Sequence, residues 1–137
     1  MGAPSSRPVT LDSGALIAIE RGDERIRALL SLAAAYGGRI YVPTAVVAEV
    51  WRGGMGRQAR LATFLNAGER FGHVEFVTLD LAGAKLIGLL LARAGVADGG
   101  VTDAMVAWCA LRFDTRILTS DPEDIRRLVA NERIERV

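Results

Sequence analysis

Hydrophobic positions along the chain follow two periods. Short apolar runs of strand length, at Val9–Leu11, Arg39–Val42, Val74–Thr78 and Arg116–Thr119, are bounded by glycine, proline or charged residues. Between them apolar residues return at helical spacing. Helices are predicted over 13–20 and 23–36, divided by Arg21-Gly22-Asp23, and over Ala45–Trp51. Gly53, Gly54 and Gly56 break the pattern, which resumes from Gln58 to Gly68. Further helices are predicted over Leu81–Arg93, Asp103–Phe113 and Pro122–Ala130, with a loop at 95–100 and a short strand at Ile134–Val137. The helix 103–113 is apolar on most sides, which predicts burial. Strands separated by helices require crossovers and a parallel sheet covered on both faces. The expected fold is therefore α/β, a three-layer α/β/α sandwich with a mainly parallel sheet. Residues 1–8 read as a flexible leader and 9–137 as one domain, a usual size for a single core.

Composition removes several chemistries. The formal charge is +1, so no strong overall field advertises a partner. Of 17 basic residues only Lys85 is lysine, and the arginines suit carboxylate and phosphate recognition, although GC-rich codon usage favours arginine too. One cysteine, Cys109, cannot form a disulfide within the chain, which fits a reducing cytoplasm. One histidine, His73, argues against a Cys/His zinc site, and no nucleophile motif stands near it for Ser-His-Asp catalysis. Cys109, Trp51 and Trp108 read as core. No apolar stretch reaches the ~18 residues of a membrane span, and no signal-peptide pattern opens the chain.

What remains is acidic. In a parallel sheet, a helix that follows a strand starts at the strand's carboxyl edge, where open α/β folds bind ligands. Asp12 directly follows the first strand, and Asp121 follows the strand at 116–119. Glu49 lies in the second turn of the helix after the second strand, and Asp103 at the start of the helix that feeds the strand at 116. Each has a bland reading. Asp12 is a possible N-cap, and Asp121 a better one, with Pro122 at the first helical position and Asp124 able to reach back. Asp103 suits a helix dipole, and Glu49 could simply face water. Capping explains neither Glu49's apolar neighbours nor four acids on one edge. Ala107 and Ala110, on the Asp103 stripe, would let that helix approach the sheet closely. Clustered carboxylates stay ionised when a cation sits among them, and an all-oxygen set without histidine points to Mg²⁺ or Mn²⁺. Such ions suit phosphodiester hydrolysis by an activated water.

These motifs resemble those of PIN-domain ribonucleases, specifically the VapC toxins of bacterial VapBC toxin–antitoxin pairs. The likeness runs from Val9 to about Leu128. It rests on Leu11-Asp12-Ser13-Gly14-Ala15, on Val42-Pro43-Thr44-Ala45-Val46-Val47-Ala48-Glu49-Val50-Trp51-Arg52, on Val101-Thr102-Asp103-Ala104-Met105-Val106-Ala107 and on Ile117-Leu118-Thr119-Ser120-Asp121-Pro122-Glu123-Asp124-Ile125. The resemblance implies Mg²⁺- or Mn²⁺-dependent cleavage of RNA, with Asp12, Glu49, Asp103 and Asp121 as catalytic and metal-binding acids. It also implies a homodimer and a cognate antitoxin that blocks the site. The leader is longer than expected, and an extra acid of many relatives has only Asp98 as its candidate, at stretched spacing, so that a polar loop residue is the simpler reading. Arg52, Arg57 and Arg60 either bind RNA phosphates or form a solvated helix face. Thr119 and Ser120 either orient a water or phosphate or merely finish a strand.

Three other readings compete. A non-toxic RNA-processing nuclease would use the same residues. A phosphoacceptor receiver, a non-catalytic signalling domain, needs a lysine after a late strand, and the only lysine, Lys85, lies in a helix pattern. A haloacid-dehalogenase-type phosphatase needs a second aspartate two residues after Asp12, where Gly14 stands.

Overall fold

Five short strands make one sheet in a computed structural model, which describes residues 8–35, 37–96 and 100–137. The strands are β1 (Val9–Leu11), β2 (Ile40–Pro43), β3 (Val74–Val77), β4 (Arg116–Thr119) and β5 (Ile134–Arg136), in the order β3-β2-β1-β4-β5. Every pairing is parallel; Thr10 lies opposite Tyr41 on one side and Ile117 on the other. Seven α-helices connect them: α1 (Ser13–Arg21), α2 (Glu24–Ala35), α3 (Thr44–Val50), α4 (Ala59–Phe71), α5 (Leu81–Arg93), α6 (Val101–Phe113) and α7 (Pro122–Arg126). Short 3₁₀ turns occupy Gly56–Gln58 and Asn131–Arg133. Tyr36 and residues 97–99, Asp98 among them, lie outside the described residues, as do residues 1–7 of the leader. The carbonyl of Pro8 accepts from Arg116 N at 3.2 Å, so the β1–β4 ladder begins there.

Period-two alternation explains the layers. On β2, Ile40 and Val42 enter a large core with residues of α1, α2 and α4, whereas Tyr41 joins Met105, Trp108 and Ile87 of α6 and α5. Helices therefore cover both faces, and the central strands are apolar without a solvent side, as a parallel sheet requires. Three alanines of α6, Ala104, Ala107 and Ala110, are fully buried, so this helix lies close on β1, β2 and β4. Cys109 is buried beside the Thr10 hydroxyl at 3.7 Å, and burial pushes its thiol up to about 11. Cys109 and Trp108 are core residues, as expected.

Three local expectations are corrected. Helix α7 ends at Arg126 instead of 130: Leu128 N bonds back to Ile125 O in a tightened turn, which drops Val129 into the core ahead of β5. Helix α4 runs past Gly68 to Phe71, because Gly68 is a packing gap against Val74 and Gly72, at φ +71°, is the real C-cap. Trp51 is not core. Helix α3 stops at Val50, Trp51 turns to an extended conformation, and its side of the loop leaves it 36% exposed.

Candidate active site at the carboxyl edge of the sheet

All four predicted acids stand on elements that meet at the carboxyl edge. Asp12 ends β1, and its amide bonds to Leu118 O of β4 at 3.3 Å, tying the two strand exits together. Its carboxylate caps α1, accepting from Ala15 N at 3.0 Å. The cap and the site readings of Asp12 are thus compatible. Gly14 explains how the β4 exit comes so near: a Cβ on Gly14 would lie 2.0 Å from Ser120 Oγ and 2.9 Å from Ser120 N. Only a residue without a side chain lets the first turn of α1 touch the Ser120–Asp121 turn.

Asp121 does not cap α7, although Pro122 takes the first helical position as the capping reading requires. Its backbone instead is held by the side chain two residues before it, Asp121 N donating to Thr119 Oγ1 at 2.9 Å. Its carboxylate is therefore not spent on the helix. Glu49 is exposed on α3 and accepts a hydrogen bond from Ser13, the neighbour of Asp12, which links α3 to α1 across the edge. Asp103 is half-buried in the first turn of α6.

Electrostatics record the convergence. Burial raises the Asp12 carboxyl above the ordinary value; hydrogen bonds from Thr119 and from the Ala15 and Gly14 amides oppose this, and the Asp121 charge adds to it. Asp103 is pushed up to about 6, first by burial and then by the charges of Asp124, Asp12, Glu49 and Asp121. Each of the other three expected acids is felt there. Among the described residues, none of the four is paired with an arginine or lysine. Uncompensated carboxylates of this kind, Asp12 buried, Asp103 half-buried and Glu49 and Asp121 exposed, suit a hard cation with oxygen ligands. The donor chemistry fits, with the Ser13 hydroxyl as an additional oxygen. As the side chains stand, no three acid, histidine or cysteine groups among the described residues are already closed around one ion.

Asp124 is the acid that the sequence reading assigned to capping. It gives the largest charge effect on Asp103 and lines a cleft of about 240 Å³ with it. Its position three residues beyond Asp121, one turn along α7, was the available signal. On the other flank, Ser13 and Glu49 open into a groove of about 1160 Å³ that also carries Arg21, Arg52 and Arg57.

A family model for the PIN domain matches residues 9–130. The chain belongs to the PIN domain family. No curated protein matches its sequence. Solved structures that share the fold include two VapBC complexes. One is VapBC2 from Rickettsia felis bound to a DNA fragment from the promoter, with TM-score 0.70 and 19% identity, covering 94% of this chain and 98% of that one. The other is DNA-bound VapBC from Salmonella typhimurium, with TM-score 0.67 and 21% identity, covering 94% and 97%. This PIN domain shares with them the parallel sheet, and the edge described above is where its acids collect.

Proposed function

We propose that the chain is a metal-dependent endoribonuclease and the toxin of a toxin–antitoxin pair. The observation that carries this reading is the uncompensated set Asp12, Glu49, Asp103 and Asp121 at one sheet edge of a PIN domain. Mg²⁺ or Mn²⁺ held by these carboxylates would supply an activated water and offset charge on the leaving oxygen. Asp12 would be the best-positioned ligand, since its cap bond, the Thr119 hydroxyl and surrounding core fix its rotamer. Asp103 would be the most cation-dependent, since four other acids raise its proton affinity. Thr119 would hold the turn that presents Asp121. Chemistry based on His73 or Cys109 finds no support, as His73 lies before β3 at the other end of the strands and the Cys109 thiol is buried.

The toxin role draws on the two structural neighbours, both VapBC complexes. It brings an antitoxin protein as partner and the cytoplasm as location; no helix among the described residues is long and apolar enough to cross a membrane. A second copy of the chain is supported by an exposed apolar face on α5 and α6, formed by Leu86, Leu89 and Leu111.

The test is cleavage of a mixed RNA substrate by the purified chain with Mg²⁺, with Mn²⁺ and with EDTA. Cleavage that EDTA stops and added metal restores is the expected result. Cleavage that continues unchanged in EDTA would overturn the metal-dependent reading.

A further inference from the structure

The loop between α3 and α4 is built with more care than a linker needs. Gln58 is buried, 6% exposed, and its amide is fully used. Its oxygen accepts from Arg52 N at 2.8 Å and Gly54 N at 3.2 Å; its nitrogen donates to Val50 O and Glu20 Oε1, both at 2.8 Å. One side chain thus pins both ends of the loop to α1. Gly54, at φ +71°, lets the Trp51 ring lie on its backbone, where a Cβ would stand 2.4 Å from the ring. The loop is therefore a fixed shape that holds an aromatic ring and two arginines outward. Trp51 is partly exposed, and Arg52 and Arg57 are exposed.

Charge gives the loop a direction. Among the described residues the ion pairs of the molecule lie elsewhere, at Arg39–Glu75, Arg116–Glu135, Arg126–Glu123, Arg127–Asp124 and Arg133–Asp114. Arg21, Arg52 and Arg57 have no acidic partner, and Glu20 is occupied by Gln58. Arg52 is steered by one terminal nitrogen onto the Trp51 and Ala48 carbonyls, at 2.6 and 3.4 Å. This stations its charge at the end of α3, the helix that carries Glu49. These three arginines and Arg60 line the same groove as Ser13 and Glu49.

We propose that this pinned loop is the track for a single RNA strand entering the acidic edge, with Arg21, Arg52 and Arg57 on successive phosphates and Trp51 stacked on a base. Arginine on phosphate and an aromatic ring on a base form the sequence-tolerant grip of single-strand binders. The substrate at this site is then unpaired RNA, because a stacking base must be free of its duplex. The inference rests on the ribonuclease reading above, and binding is measured apart from cleavage so that the two can fail separately.

The experiment is fluorescence-anisotropy binding of a labelled single-stranded RNA to the cleavage-impaired Asp12→Asn chain across a salt series. Arg52→Ala with Arg57→Ala is expected to weaken binding at least about tenfold and to lower the salt slope by about 1.4, at ~0.7 per lost phosphate contact. Trp51→Ala is expected to weaken it about 5- to 100-fold with the slope unchanged, and Trp51→Phe to recover most of the loss. Arg39→Ala, at the opposite end of the strands, is the control and leaves both quantities alone. A duplex of the same sequence is expected to bind more weakly and to be insensitive to Trp51→Ala. Affinity and slope that survive the double arginine substitution, in variants whose circular dichroism is unchanged, overturn the proposal. If the unsubstituted chain cleaves no RNA while these binding results hold, the ribonuclease reading fails and the track stands.

Discussion

At the scale of residues, two carboxyls of the acidic edge hold their protons harder in the folded protein. Asp103 does so up to about 6, against an ordinary value of 3.8, and Asp12 shifts in the same direction. Folding of the metal-free chain therefore takes up protons. This contribution to stability is complete below about pH 4 and is lost as pH rises through about 6. Metal binding must displace the same protons. The affinity for Mn²⁺ is expected to rise steeply from pH 5 to pH 6.5 and then to level, as measured by calorimetry. Mn²⁺ should also raise the melting temperature more at pH 7 than at pH 5. An affinity that falls with pH across this range would place the ion elsewhere. The acids were readable as residues, because Asp12 and Asp121 directly follow strand-like runs, Asp103 opens a helix and Glu49 stands among apolar neighbours. Asp124 was not, since a third-position acid after Asp-Pro has an ordinary capping reading and only the fold shows it facing Asp103.

Elements explain what periodicity could and could not reveal. Strands β1 to β4 were legible because a parallel sheet covered on both faces needs largely apolar strands, here interrupted only by Thr10, Glu75 and the strand-end Arg116 and Thr119. The long α5 and α6 were legible from their length and spacing. Helix ends were less so. Gly68 looks like a stop and is a space for Val74; Pro122–Ala130 looks like one helix and closes early because Val129 must reach the core. Trp51 misleads for a similar reason: a large apolar residue at a helix end usually turns inward, but a loop pinned by Gln58 turns it out. That pin joins positions up to 38 residues apart in sequence, which no local pattern encodes. Gln58→Ala leaves the Arg52 and Gly54 amides and the Val50 carbonyl without their partner. A loss of ~1–3 kcal/mol is expected in urea unfolding. Gly14→Ala, which would drive a methyl into the Ser120 turn, is expected to separate the β1 and β4 exits and abolish cleavage while the far-ultraviolet circular dichroism keeps its helical shape. An active Gly14→Ala chain would mean that the two exits need not touch.

At the scale of the whole molecule, the proposed site takes its acids from four separate elements that meet at one sheet edge. The fold class was legible from alternation of strand and helix alone. The strand order β3-β2-β1-β4-β5 was not, because which strand inserts between which is decided by crossovers rather than by composition. Surface chemistry divides in the same way: α5 and α6 expose a leucine face away from the charged groove. Leu86→Glu with Leu89→Glu is expected to convert a dimer to a monomer in light scattering, and a chain that is monomeric before substitution would remove the second copy. Asp12→Asn decides whether Asp12 serves an active site or merely ends a strand. Asparagine keeps an acceptor for Ala15 N and removes a buried charge, so the melting temperature should hold or rise slightly, whereas a mere cap is probed by Asp12→Ala at a cost of ~0.5–2 kcal/mol. Metal-dependent RNA cleavage measured beside the melting curve is expected to vanish in Asp12→Asn with the fold intact; cleavage at the unsubstituted rate would contradict the four-acid site.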